Sequence, residues 1–391
     1  MHALPYWRLS GYYFFYFAFV GVFSPYFGLY LQSLDFSAWD IGLLMSQMQL
    51  MRLFGPNLWG WLADRWQQRI HIIRWAGFLS LAGFSAFLWL DRLPGMLLAM
   101  AVLAFFWSAA LPLVETLTLD HLRDQTARYG RIRLWGSIGF IVAVMGAGAL
   151  LDWLPLRSVV WVCFAVLLGI WLLALVLPEA GGQSHQAASL PVREILRQAP
   201  VQALLLACVA MSAAHGALYV FYSIHLADHG YNKFEIGLLW SLGVVAEILV
   251  FLVMPRLLHR YGLRKLLLLS FAAAVLRFLL IGAWVDVLLI ALFAQCLHGL
   301  TFGAYHASAV AAIGCWFPGR AQARGQALYS SLSFGAGGLL GNLVAGWTWE
   351  WIGAGWTYAL SAAFAGLGFM LIVWQMPQTG ADGSKSVVSV Q

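Results

Sequence analysis

Charge is what this sequence has least of. Asp, Glu, Lys and Arg make up only 10% of its 391 residues, against about 25% in an ordinary soluble domain. The shortage excludes a water-soluble enzyme, a nucleic-acid binder and a disordered chain, because each needs a polar or charged exterior. Cysteine is scarce too. Cys163, Cys208, Cys296 and Cys315 lie in or beside apolar stretches with no CxxC spacing, so they read as small buried apolar residues and not as a zinc or redox site. No Walker motif, GxSxG or HExxH occurs. The glycines of 335–341 superficially resemble a dinucleotide fingerprint, but no strand precedes them and the segment is apolar. The sequence therefore implies no cofactor and no metal.

Apolar residues fill the space that charge leaves. They are 62% of the chain, and the mean hydropathy is +0.79. A bilayer is the solvent that fits. A spanning helix takes about 20 residues, so twelve spans would use about 240 and leave only short loops. Charges and turn residues divide the apolar runs into spans at 9–33, 40–63, 71–90, 95–119, 132–152, 158–177, 202–227, 236–258, 265–284, 287–313, 324–347 and 354–376. The first run is too long for the apolar core of a signal peptide and lacks a small-residue cleavage site, so it reads as the first span.

With the N-terminus in the cytoplasm, seventeen Lys and Arg fall in cytoplasmic segments and three, Arg92, Arg157 and Lys233, outside. Arg52 and Arg277 remain inside spans. This asymmetry, and with it the net charge of +6, follows the positive-inside rule and predicts cytoplasmic termini. The polar segment 178–200, with Gly181, Gly182, Ser184, Gln186 and Ser189 and an amphipathic piece at 192–197, reads as a cytoplasmic linker. It separates a six-helix half at 1–177 from another at 201–377. Residues 378–391 are Gly/Ser-rich and read as a disordered cytoplasmic tail.

An internal repeat supports two halves. Asp40-Ile41-Gly42-Leu43-Leu44 matches Glu235-Ile236-Gly237-Leu238-Leu239 at an offset of 195, which also relates Arg65 to Arg260, Arg69 to Arg264 and Arg52 to Glu247. The loop Gly60-Trp61-Leu62-Ala63-Asp64-Arg65-Trp66-Gln67-Gln68-Arg69 resembles the major facilitator superfamily signature between helices 2 and 3, with Gln67 where a glycine is usual. The second copy, 255–265, keeps Arg260, Gly262 and Arg264 but has His259 in place of the acid. The resemblance implies an all-α membrane protein of twelve helices, in two six-helix halves related by a pseudo-twofold axis. It also implies that Gly60, Asp64, Arg65 and Arg69 gate the cytoplasmic ends of the halves. The alternative for the basic residues is topology alone.

A closer resemblance covers nearly the whole chain. YGRIRLWGSIGF at 129–140, GLLWSLGVVAEILVF at 237–251, LHGLTFGAYH at 297–306 and the aromatic first span are similar to the 3-phenylpropionate permease family, a relative of the lactose permease group of proton symporters.

Charged groups inside spans cost about 2.5–3.5 kcal/mol each on insertion scales, so each is a functional candidate. Glu115 and Arg133 are spaced like a substrate-lining Glu–Arg pair of the lactose permease group, and read as a facing pair on helices 4 and 5; the alternative is a structural ion pair. Phe140 stands where that group has a sugar-stacking Trp, and a phenyl ring suits an aromatic substrate. Arg277 follows Pro255 at the spacing of the group's coupling Arg. It is a candidate to hold a substrate carboxylate, or else to pair with Glu247. His298 falls within one residue of the group's helix-10 histidine, with Gln295 and Thr301 where a Lys and a proton-carrying Glu would be. Glu247 is then the first candidate proton carrier, followed by His298 and Glu115. Arg52 and His306 are further polar candidates for the cavity. The alternatives are snorkelling for Arg52 and hydrogen-bonded packing for His306. Tyr12, Tyr16, Tyr26 and Tyr219 are weaker candidates to line it. The pairs Gly299/Gly303 and Gly337/Gly341 have GxxxG spacing, which lets helices approach closely.

These residues predict a monomeric transporter of the bacterial inner membrane. Its partners are a small-molecule substrate, protons and the bilayer, with no nucleic acid. The implied activity is proton symport of a 3-phenylpropionate-like aromatic carboxylate. Symport of a sugar or nucleoside is the rival, and a membrane ligand sensor that does not transport is the rival from another class.

Overall fold

The computed structural model describes residues 4–66, 68–123, 125, 128–180 and 192–376, apart from the side chain of Arg320. The expectations that fall on Gln67, on Gly181, Gly182, Ser184, Gln186 and Ser189 of the linker, and on the tail lie outside the described residues. Every regular element among the described residues is helical. Six helices come first: α1 (Tyr6–Gln32), α2 (Ala38–Trp66), α3 (Arg69–Ser85), α4 (Leu93–Leu122), α5 (Tyr129–Leu151) and α6 (Ser158–Val176). The short α7 (Val192–Leu196) occupies the amphipathic piece of the expected linker.

Six further crossings follow. The stretch α8 (Ala199–Ala214) and α9 (Gly216–Asp228) makes one. The next element, α10 (Lys233–Trp284), is 52 residues long and makes two. α11 (Leu288–Cys296) and α12 (Tyr305–Trp316) make another across a π-helical segment, Gly299–Ala304. α13 (Gln322–Ser330) and α14 (Gly338–Trp351) do the same across Ser331–Gly337. α15 (Gly353–Gln375) is the last. Nine stretches among the described residues are long and apolar enough by themselves to cross a membrane. One of these is α10 with its two limbs. The more polar α2, with Asp40, Arg52, Asp64 and Arg65, and the α13–α14 stretch bring the total to twelve.

The limbs of α10 meet at Gly262, whose φ of 74° and ψ of 164° suit glycine almost alone. The 195-residue offset places this break opposite the gap between α2 and α3, so the repeat shows in the backbone. Among the described residues, no neighbouring atom lies within 4 Å of a Cβ built at Gly262, so a side chain there meets backbone strain and no clash with them. Gly262→Ala is therefore expected to cost about 1–3 kcal/mol, read as a lower melting temperature of the purified protein.

Contacts divide the chain into two compact units. The first is Met1–His185 with Leu218–Ser241 and Ala345–Trp347; the second is Gln186–Ala217, Leu242–Val344 and Thr348–Gln391. Within the first, α1 and α5 touch backbone to backbone. A Cβ at Gly21 would sit 2.6 Å from the Phe140 carbonyl oxygen, and one at Gly139 would overlap the Phe14 carbonyl. Tyr26 serves packing here: its hydroxyl donates to the carbonyls of Val144 and Lys233 at 2.8 and 2.9 Å. Asp152 accepts from the Lys233 and Phe234 amides, a carboxylate at the N-terminus of α10.

In the second unit the GxxxG pairs bring helices together. A Cβ at Gly299 would lie 2.7 Å from the Ala246 carbonyl, and one at Gly337 would lie 2.5 Å from that of Val209. Arginines close two helix C-termini. Arg74 donates to the carbonyls of Ala174, Leu175 and Leu177, and Arg264 to those of Val373 and Met376. Two of the four cysteines depart from the expectation: Cys163 and Cys208 are buried, but Cys296 and Cys315 are exposed.

Candidate functional site

Polar groups inside the helices gather in two clusters, one in each unit. The first cluster is built on α1, α2, α4 and α5. Arg133, one turn into α5, lies over the Phe17 ring, with its guanidinium carbon 3.9 Å from the centroid and 5.9 Å from that of Tyr13. Among the described residues it has no hydrogen-bond or ion-pair partner. Gly136 makes the arrangement possible. A Cβ there would sit 2.6 Å from a Phe17 ring carbon and 2.8 Å from an Arg133 nitrogen. Glu115 on α4 accepts a hydrogen bond from the Tyr129 hydroxyl at 3.3 Å. The facing pair expected of Glu115 and Arg133 is thus not a direct ion pair, because one takes a phenol and the other an aromatic face.

Around them, the hydroxyls of Tyr13 and Thr118 lie 3.3 Å apart, and the Tyr16 ring stacks on Trp107 at 4.3 Å. Arg52 donates to Gln49 at 3.5 Å. Phe140 is buried on the same face of α5 as Arg133 and Gly136.

The second cluster centres on Arg277, which is only 1% exposed. One guanidinium nitrogen is 3.0 Å from His298 Nδ1 and 3.0 Å from the Thr301 hydroxyl; the other is 3.1 Å from Gln295 Oε1. A guanidinium can only donate, so His298 Nδ1 accepts and the imidazole proton sits on Nε2. That nitrogen lies 3.6 Å from Glu247 Oε2. The result is a chain from Arg277 through a neutral imidazole to a carboxylate. Gly243 leaves room beside it, since a Cβ there would be 3.1 Å from Gln295 and 3.3 Å from His298.

Arg277 is buried and bonded to its own neighbours, and its hydrogen bond to His298 connects it to the imidazole that faces Glu247. His298 has Nδ1 on Arg277 and Nε2 on Glu247, which leaves neither nitrogen to a substrate. Removing one hydroxyl tests how tightly the cluster is closed. Thr301→Val leaves a guanidinium N–H unsatisfied and is expected to cost about 1–3 kcal/mol of stability, read by thermal unfolding.

His306 belongs to a neighbouring group, with Nδ1 2.8 Å from the Tyr329 hydroxyl. Its ring and that of His298 flank Phe302 at centroid distances of 5.8 and 5.5 Å. Arg69 pairs with Asp120 and lies 3.8 Å from Asp64, so its carboxylate partners are in its own unit, where they tie the ends of α2, α3 and α4. Arg65 stacks over Trp61 at 5.7 Å. Among the described residues, no neighbouring atom lies within 4 Å of a Cβ at Gly60, so their packing does not demand a glycine there.

Gln295 and Thr301 stand out in the sequence only as departures from a motif, yet with His298 they lie at intervals of three on one helix face. Other members carry less signal. Tyr129 and Gly136 stand inside the quoted 129–140 motif. Asp120 and the buried His215, whose ring is 6.5 Å from His298, carried no such signal.

Known proteins agree with this architecture. The family model described as MFS_1 like family matches residues 6–360. The probable 3-phenylpropionic acid transporter of Escherichia coli (strain K12) is 29% identical, over 91% of this chain and 94% of its own length. The maltose permease of Geobacillus stearothermophilus is 27% identical, over 95% of each chain. A crystal structure of the nucleoside transporter NupG has the same fold, with a TM-score of 0.82 at 19% identity over 96% of this chain and 99% of that one.

Proposed function

The chain belongs to the MFS_1 like family, and from that premise we propose that it is a proton-coupled symporter of a small aromatic carboxylate of the 3-phenylpropionate kind. It is a multi-pass membrane transporter of small molecules and not an enzyme. Our reading places it in a bacterial inner membrane as a monomer with both termini cytoplasmic. It works by alternating access of the halves 1–177 and 201–377, joined by 178–200.

The observation that carries the reading is Arg133, a guanidinium laid on an aromatic ring with its donors unclaimed. A carboxylate can take two parallel N–H bonds from such a group. The Phe17 and Tyr13 rings, with Phe140 further along α5, offer apolar and π contacts to a phenyl ring. Glu115 and Tyr129 set a polar edge beside Arg133. Proton movement belongs to the second cluster. Glu247 accepts and releases the proton, His298 relays through its Nε2–H, and Arg277 fixes the tautomer and orientation of His298 as a positioning residue.

Sugar or nucleoside transport is the second reading. It is supported by the maltose and nucleoside relatives and by a carboxylate–phenol pair able to bind hydroxyls. Binding of four ligands to purified protein separates the two. We expect 3-phenylpropionate to quench tryptophan fluorescence saturably, and its neutral amide, maltose and a nucleoside not to. Saturable binding of maltose or the nucleoside, with none of the acid, would replace the first reading with the second.

A further inference from the structure

A recess of about 400 Å³ opens where α1 and α5 both begin, lined by Leu4, Tyr6, Arg128 and Arg131. It lies apart from the groups assigned to substrate and proton. Its two arginines are exposed, and among the described residues neither guanidinium has a hydrogen-bond or ion-pair partner. The Tyr6 hydroxyl accepts a bond from Trp135 Nε1 at 3.2 Å, which leaves its own proton to give. Arg128 is the N-cap of α5 and its side chain makes no capping bond, so the first-turn amides of α5 and their partial positive charge face the same end. Among the described residues, no neighbouring atom lies within 4 Å of a Cβ at Gly130, so that turn is open there.

These donors are all of one kind, and among the described residues they meet no acceptor side chain. The ligand chemistry that matches them is a phosphate. The surroundings say where it comes from. Trp7 is 72% exposed, and its ring packs edge-on against Tyr6 at 5.1 Å and Trp135 at 5.8 Å. A cluster of Trp and Tyr beside arginines at the ends of spanning helices marks the headgroup level of a bilayer. Retention of the loop on one side of the membrane needs arginines, but it needs no recess lined by a tyrosine beside them.

We propose that this recess binds the phosphate of an anionic phospholipid headgroup. Arg128 and Arg131 hold the phosphate oxygens, Tyr6 donates a further bond, and Trp7 with Trp135 lies along the glycerol and upper acyl region. A soluble phosphate ester presents the same chemistry, and the test separates the two sources.

The full-length protein is embedded in nanodiscs of equal phosphatidylglycerol and phosphatidylcholine, and retained lipid is counted by native mass spectrometry. The wild type is expected to keep phosphatidylglycerol in preference. The double variant Arg128→Gln/Arg131→Gln should lose that preference by about thirtyfold, the scale of two guanidiniums near a charged surface. Gly130→Glu, which adds a negative charge in open space, should lower it as well and covers the case in which the double variant does not fold. Arg193→Gln/Arg197→Gln removes the same charge elsewhere and should leave the preference intact. In detergent without lipid, inorganic phosphate and glycerol 3-phosphate should not raise the melting temperature. The proposal is overturned if the recess variants and the remote pair behave alike, or if the preference persists in both recess variants. It is also overturned if the soluble phosphates alone stabilise the wild type but not the double variant, which would assign the recess to a free phosphate ester.

Discussion

Glu247→Gln is expected to stop proton-driven uptake of 3-phenylpropionate while sparing exchange. In liposomes with an imposed pH gradient, its initial rate should fall by about a hundredfold or more, the usual size of the effect when an essential proton carrier is lost. Exchange of external for internal substrate at equal pH should continue near the wild-type rate. The split follows from the geometry. Glu247 faces His298 Nε2 at 3.6 Å and belongs to the second cluster, not to the aromatic ledge around Arg133. Glutamine keeps the shape and a hydrogen-bonding group but cannot take up a proton. If Glu247→Gln lost exchange and binding together with uptake, the carboxylate would be serving substrate, and the division of labour between the clusters would be wrong.

The second large effect is expected at Arg133. Arg133→Ala removes a charge-assisted bidentate contact, worth about 2–3 kcal/mol, so affinity for 3-phenylpropionate should drop by about 30- to 150-fold. Arg133→Lys should recover only part of this, because an ammonium does not fork onto a carboxylate. Gly136→Ala gives an independent handle. Its methyl would intrude on both the Phe17 ring and the guanidinium, so affinity should fall without any change of charge. Titration of tryptophan fluorescence reads all three variants. Wild-type affinity in Arg133→Ala would remove the observation on which the substrate class rests.

The helices and their breaks were legible because the bilayer enforces them. A helix must continue until its backbone groups reach the headgroups, so apolar runs and charges mark its ends. The 195-residue repeat foretold that α10 would break where α2 gives way to α3, and Gly262 supplies the break. Residue types at the second cluster were legible for the same reason, since Arg277, Glu247 and His298 are rare charges and imidazoles among apolar neighbours. Their partners were less so. Spacing leaves Arg277 open to a carboxylate or to Glu247, and its bonds to Gln295 and Thr301 depend on how two helices approach, which spacing along one helix does not fix. Arg133 was paired with Glu115 by spacing. Its place over Phe17 depends on the glycine contacts between α1 and α5, a long-range packing effect. Arg69 met Asp120 across 51 residues, with no motif to announce it. The π-helical segments Gly299–Ala304 and Ser331–Gly337 were not foreseen either.

The central claim is that this chain couples a small aromatic carboxylate to protons. The measurement that meets it most directly uses purified protein in liposomes holding a pH-sensitive dye. 3-Phenylpropionate, maltose and a nucleoside are added in turn, and protein-free liposomes supply the background, because weak acids cross bilayers unaided. We predict proton entry above that background with the aromatic acid alone, lost in Glu247→Gln and strongly reduced in Arg133→Ala. Proton entry with maltose or the nucleoside, or no protein-dependent signal with the acid in folded protein, would contradict the account.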